Sequence, residues 1–316
     1  MTRRDPRVIG PDREGLCLCG SRRRIRSCHG RRDGSWRADP WQPSAVSTVA
    51  EGYSHPGCYA RSLGGCSTKL SREHYLSASV LEEISSAPTL SGLAFLERGE
   101  ERVLPVAAIS ARILCTSHNE QLSELDHEAA KVFRVLRWFE NGLKDSVNCP
   151  IDDVELVDGP RFEAWMLKAL LGMVHAGVLS GTEGPLRRVR EGAEQSLLRV
   201  LFQGGSWPDG WGLWVHLSTE GHGAPADLGV WAQGVGEEVW AAEFEFGAFV
   251  FRLTLGRPHD QTAIHRPGAV VLLKKQVDVQ KVLAIGWPDG VGGLPVTTTR
   301  VGQMEGWDLS RQPGGI

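Results

Sequence analysis

A chain of 316 residues with 41% hydrophobic and 23% charged side chains can bury a large core or several small ones, which excludes wholesale disorder. No apolar run is long enough to span a bilayer: the longest, residues 167–179, is broken by Lys168 and His175, and the start has no apolar leader, so a cytoplasmic address without a membrane is expected. The net charge of −3 conceals a split, because residues 1–36 hold ten Arg and four acidic residues, a balance of +6 that leaves −9 on the rest.

The first 45 residues are rich in Arg, Gly and Pro and poor in aliphatic side chains, so their order must come from something other than burial. Residues 46–118 mix short apolar pieces with Gly, Ser and Cys. From Asn119 the spacing predicts a helix, with Leu122, Leu125, Ala129, Val132, Phe133, Leu136 and Phe139 at intervals of three and four, Gly142 near its end and Pro150 beyond. A second helix is predicted over Arg161–Val178, with Phe162, Trp165, Met166, Ala169, Leu170 and Met173 on one face, and a third over Leu186–Phe202. After residue 205 the pattern becomes that of strands at Trp211–Leu217, Val239–Leu255 and Val270–Lys275. Trp-Pro-Asp-Gly occurs at 207–210 and again at 287–290, and Pro-Asp-Gly predicts a turn because Pro presets φ and Gly accepts positive φ. Residues 306–316 are expected to form a loose tail.

Seven cysteines stand at 17, 19, 28, 58, 66, 115 and 149, six of them within the first 115 residues and close to His29 or His118. In a cytoplasmic chain such clusters read as metal sites or reactive thiols, with Cys149 left as a passive thiol at a loop. Cys17-Leu-Cys19-Gly20-Ser21 followed by Cys28-His29 puts three thiols and an imidazole within thirteen residues. Three thiolates and a neutral imidazole make a closed tetrahedral zinc site, and zinc would supply the folding energy that the segment's missing core cannot. Arg22, Arg23, Arg24 and Arg26 would favour the thiolates. The segment resembles the SEC-C motif, which implies a small basic zinc module that docks onto partners, protein among them.

Cys58, Cys66, Cys115 and His118 repeat the same ligand set over a longer span and predict a second zinc site. Glu73, His74 and Asn119 then stand beside it without a zinc role. This arrangement, a Cys pair, Glu73-His74, then Leu114-Cys115-Thr-Ser-His118-Asn119 with Leu122-Ser123 and Asp126 downstream, resembles the zinc-stapled branch of the HNH endonucleases. The resemblance implies a treble-clef ββα-metal module over about residues 58–140. It implies His74 as the general base, Glu73 and Asn119 as oxygen ligands of Mg²⁺ or Mn²⁺, and nucleic acid, DNA foremost, as substrate. The helix opening at Asn119 would turn its positive end toward a phosphate. The departures are a wide Cys58–Cys66 gap, an insertion around Ser85–Pro105, and Glu120 where it would repel phosphate.

Asp126-His127-Glu128 reads as solvated helix surface, and the Trp residues at 207, 211, 214, 231, 240, 287 and 307 as core; His216 and His222 have no evident partner. The expected fold is α+β in three parts: a zinc module with linker over 1–45, an HNH-like module over 46–145, and an α+β domain over 146–305. Phosphodiester hydrolysis is the leading expectation. The alternatives are a non-catalytic zinc module that binds nucleic acid or protein, and a C-terminal domain that senses a partner with the zinc parts as scaffold.

Overall fold

The computed structural model of the chain describes residues 15–19, 21–32, 35–45, 53–97, 99–140, 152–181, 184–190, 192–217, 228–247, 249–256, 263–274, 279–288, 291–292 and 296–300. In chain order the elements are β1 (Leu70–His74), α1 (Ala78–Ile84), β2 (Thr89–Ser91), β3 (Glu101–Val103), β4 (Ser110–Cys115), α2 (Thr116–Glu120) and α3 (Ser123–Glu140). There follow β5 (Asp152–Asp158), α4 (Gly159–Ala176), β6 (Leu179–Gly181), β7 (Gly184–Leu186), β8 (Arg188–Val189) and α5 (Glu194–Gln203). The remainder is β9 (Gly212–Leu217), β10 (Leu228–Val235), β11 (Glu238–Phe246), β12 (Phe249–Thr254), β13 (Ile264–His265), β14 (Ala269–Lys274), β15 (Val279–Gly286) and β16 (Val296–Arg300). Helices and sheets are mixed along the chain, as an α+β fold requires.

A large, mainly antiparallel sheet runs β13–β9–β12–β11–β10–β2–β3, with β8 added alongside β11. A second sheet runs β16–β14–β15–β5, and β1 pairs with β4 on its own. Helices α3 and α4 cover the inner face of the large sheet through aromatic contacts: Phe133 lies 5.6 Å from both Trp165 and Phe246, and Phe162 lies 5.4 Å from Phe251. Residues 162–174 of α4 are buried on every side, so this helix is the axis of the molecule. One core takes in buried residues from Trp41 to Trp287 and spans the expected 45/46 and 145/146 boundaries, both of which lie next to or within stretches outside the described residues.

The helix expected from Asn119 opens earlier, at Thr116, and breaks in two, because the Leu122 and Leu125 amides bond three residues back to Asn119 O and Leu122 O. Gly142, Cys149 and Pro150 lie outside the described residues. Helix α4 starts two residues before the predicted Arg161, capped by the Asp158 carboxylate, which accepts from Arg161 N at 3.0 Å. The helix predicted from Leu186 forms only over Glu194–Gln203. Pro185 and the amides of Arg187, Arg188 and Arg190, which donate to Glu237 O and Val239 O, commit the preceding stretch to sheet edges. The single run Val239–Leu255 is a hairpin of β11 and β12. At the first Trp-Pro-Asp-Gly copy the chain turns, with Trp211 N donating to Pro208 O at 3.1 Å; at the second, Val291 N donates to Pro288 O at 3.1 Å, and Asp289 and Gly290 lie outside the described residues. The Ser85–Pro105 insertion contributes two short strands to the large sheet: β2 pairs with β10 and β3 with β2. Of the tryptophans read as core, Trp287 is buried, whereas Trp231 and Trp240 are each 38% exposed; Trp307 and His222 lie outside the described residues.

The N-terminal head packs on the second sheet. Trp287 N donates to Trp36 O at 3.3 Å, Ala38 N donates to Trp287 O at 3.1 Å, and Cys17, Ile25 and Trp36 bury against Ala284. Among the described residues no helix is long and apolar enough to cross a membrane.

Candidate metal centres

In the head, Cys17, Cys19, Cys28 and His29 converge so that their ligand atoms all lie within 4.8 Å of one another. His29 Nδ1 is 3.2 Å from both Cys17 Sγ and Cys28 Sγ, and Cys19 Sγ is 3.5 Å from Cys28 Sγ. A tetrahedral ion with bonds of about 2.0–2.3 Å has ligand–ligand edges of about 3.5 Å, so these spacings match a four-coordinate site. Burial pushes the Cys17 thiol up to about 11. Burial also opposes ionisation of Cys19, but the Ser21 hydroxyl and amide overcome it and hold this thiol at about 6.

In the second centre the ligand atoms of Cys58, Cys66, Cys115 and His118 likewise lie within 4.8 Å of one another, and all four residues are buried. His118 Nδ1 lies 3.2, 3.5 and 3.7 Å from the sulfurs of Cys115, Cys58 and Cys66. The chain between Cys58 and Cys66 reverses through Gly64 and Gly65, at φ +73° and +69°, a pair of left-handed residues that brings the second sulfur back to the first. Cys115 caps α2, and its sulfur, although buried, is held below the ordinary thiol range by the backbone amides of His118 and Ser67. Burial pushes Cys58 up to about 12 and keeps the His118 imidazole neutral, the form that ligates. Both donor sets are closed and sulfur-rich, consistent with structural zinc. All six of these cysteines are free of disulfides.

Two of the three residues expected to act in catalysis are engaged by other side chains. Glu73 is 6% exposed and its Oε1 accepts from Lys168 Nζ at 2.8 Å. Lys168 also donates to Asp126 Oδ1 and Oδ2 at 2.7 and 2.9 Å. Burial pushes the Glu73 carboxyl up against the pull of Lys168; burial pulls the Lys168 ammonium down, and the two carboxylates overcome it. Asn119 Nδ2 donates to Ser71 Oγ at 2.8 Å. His74 is half-buried at the end of β1, opposite Ser110, with no hydrogen bond to its ring among the described residues. With Glu73 on Lys168 and Asn119 on Ser71, the pair does not fit Mg²⁺ or Mn²⁺ held between them.

The reading of Asp126 and Glu128 as solvated surface is corrected. Asp126 also accepts from Ser77 Oγ, which accepts from Trp165 Nε1 at 2.8 Å, and Glu128 accepts from Asp158 N at 2.7 Å; only His127 is exposed. In the sequence Lys168 stands out only as a break in an apolar run. That was the available signal, since a lone charge inside a buried helix needs a partner of opposite sign. A cleft of about 610 Å³ separates the head from α3 and β5, but its Arg161 and Lys131 are paired within the wall by Asp158 and Glu128. Comparison with protein-family models, curated proteins and solved structures gives no match.

Proposed function

We propose that this chain is a zinc-stapled nucleic-acid-binding protein, in which both Cys₃His centres hold structural zinc and the arginine face of the SEC-C-like head contacts phosphates. One observation carries the reading: Arg22, Arg23, Arg24, Arg26 and Arg32 are exposed on a head whose shape is set by four metal-ligand positions. A closed four-ligand site has no position for substrate, so the zinc serves folding and the cations around it do the binding. Phosphate contacts release counterions, and each one lost lowers the salt slope by about 0.9 on duplex DNA. Replacing Arg22, Arg23 and Arg32 with Gln should therefore flatten the salt dependence of DNA binding while metal content stays at two ions. An unchanged slope would assign the head to a protein partner instead.

HNH-type cleavage is the second reading, favoured by the His74 imidazole, which has no hydrogen bond among the described residues and could take a proton from an attacking water. The β1–β4 pair followed by α2 and α3, stapled at Cys58, Cys66, Cys115 and His118, supports a treble-clef module for it. Its test is cutting of single- and double-stranded DNA and RNA with Mg²⁺ or Mn²⁺ added. His74→Ala should lower the rate about a hundred- to ten-thousand-fold with zinc retained. Wild-type protein inert on every substrate would remove this reading.

A further inference from the structure

Every residue of α4 from 162 to 174 is buried, and one of them is a lysine. Lys168 is 4% exposed, and its ammonium has three carboxylate oxygens within 2.9 Å, one from Glu73 on β1 and two from Asp126 on α3. Oxygen atoms converging from separate elements on one positive centre are the donor set of a hard divalent cation. Here the positive centre is tethered to the protein. An ion triad of this kind adds little stability over well-packed apolar side chains, so fold alone gives no reason to keep it. Chemically, the ammonium neutralises one of the two carboxylate charges and blocks the approach of another cation.

We propose that Lys168 is a built-in counter-cation standing where a divalent metal would sit between Glu73 and Asp126, so that the native chain excludes Mg²⁺ and Mn²⁺ from this pair. The C-terminal half, through α4, thereby keeps the carboxylates of the zinc-stapled half occupied. The proposal is independent of nucleic-acid binding, because it is read by metal binding alone.

The experiment uses full-length, zinc-loaded protein titrated with Mn²⁺, following the free-ion signal by electron paramagnetic resonance. Wild type should show no site that Glu73→Gln removes. Lys168→Met should bind one Mn²⁺ at least ten-fold more tightly than wild type, displaceable by Mg²⁺, and lose it again when Glu73→Gln is added. If Lys168→Met does not fold without metal, Mn²⁺ should restore its circular dichroism, while the triple variant Glu73→Gln, Asp126→Asn, Lys168→Met folds without it. Three results would overturn the proposal: a wild-type Mn²⁺ site abolished by Glu73→Gln, a folded Lys168→Met that binds no Mn²⁺, or an unfolded Lys168→Met that Mn²⁺ does not rescue.

Discussion

Position 92 accepts only glycine: its φ is +80°, and a Cβ there would come within 1.8 Å of the Val230 carbonyl oxygen. This is where the insertion strand β2 meets β10, so the strain of any side chain would part the insertion from the large sheet. Gly92→Ala should cost roughly 2 kcal/mol or more and lower Tm by several degrees in a thermal melt. Asp158 has a different role, since its carboxylate caps α4 and also pairs with Arg161. Asp158→Ala should cost about 1 kcal/mol from the cap, whereas Asp158→Asn should retain most of it; equal losses would show that the charge, not the cap, matters. Cysteine substitutions divide by address. Cys19→Ser should remove one metal and leave the body folded, while Cys115→Ser should remove the other and unfold the protein, with metal content and circular dichroism as the paired readouts.

At the scale of elements, the two centres share a ligand set and differ in shelter. Cys19 is exposed and Cys28 and His29 are half-buried, whereas all four ligands of the second centre are at most 4% exposed. A chelator should therefore strip the head first, giving one fast and one slow phase in a colorimetric release assay, and a single phase would refute the difference. Metal binding needs thiolates, and burial holds Cys17, Cys58 and Cys66 above the ordinary thiol range, so protons compete and metal affinity falls as pH falls. Helices α3 and α4 and both ligand sets were legible because their signals are local: apolar spacing of three and four, and Cys–His spacing. Strands β2, β5 and β8 were not, since their pairing partners β10, β15 and β11 lie far along the chain and leave no mark on the local pattern. Lys168 was legible as an anomaly, but its two partners were not, because they come from β1 and α3.

Over the whole molecule, one continuous core joins the half that carries the second Cys₃His cluster to the sheets that follow, with Trp165 bridging Ser77 to Phe133 and Phe244. Unfolding by denaturant should accordingly be a single transition for residues 53–300, with tryptophan fluorescence and circular dichroism coincident. Fragments 53–140 and 152–300, expressed separately, should fail to fold and should regain structure only when mixed. Independent folding of either fragment would restore a boundary near residue 145.

The docking of the head on Trp287 also sets an order in time. Residues 15–38 are synthesised before the strand and indole they rest on, which come about 250 positions later. At translation rates of roughly 5–20 residues per second, the head waits on the order of 10–50 s for its landing surface. Throughout that interval Ile25 and Trp36 have no Ala284 to bury against, and the head has only its own backbone bonds and the convergence of Cys17, Cys19, Cys28 and His29 to order it. On the zinc reading proposed above, the supply of metal at the ribosome decides whether a folded head or an open, arginine-rich thread meets the sheet when it arrives.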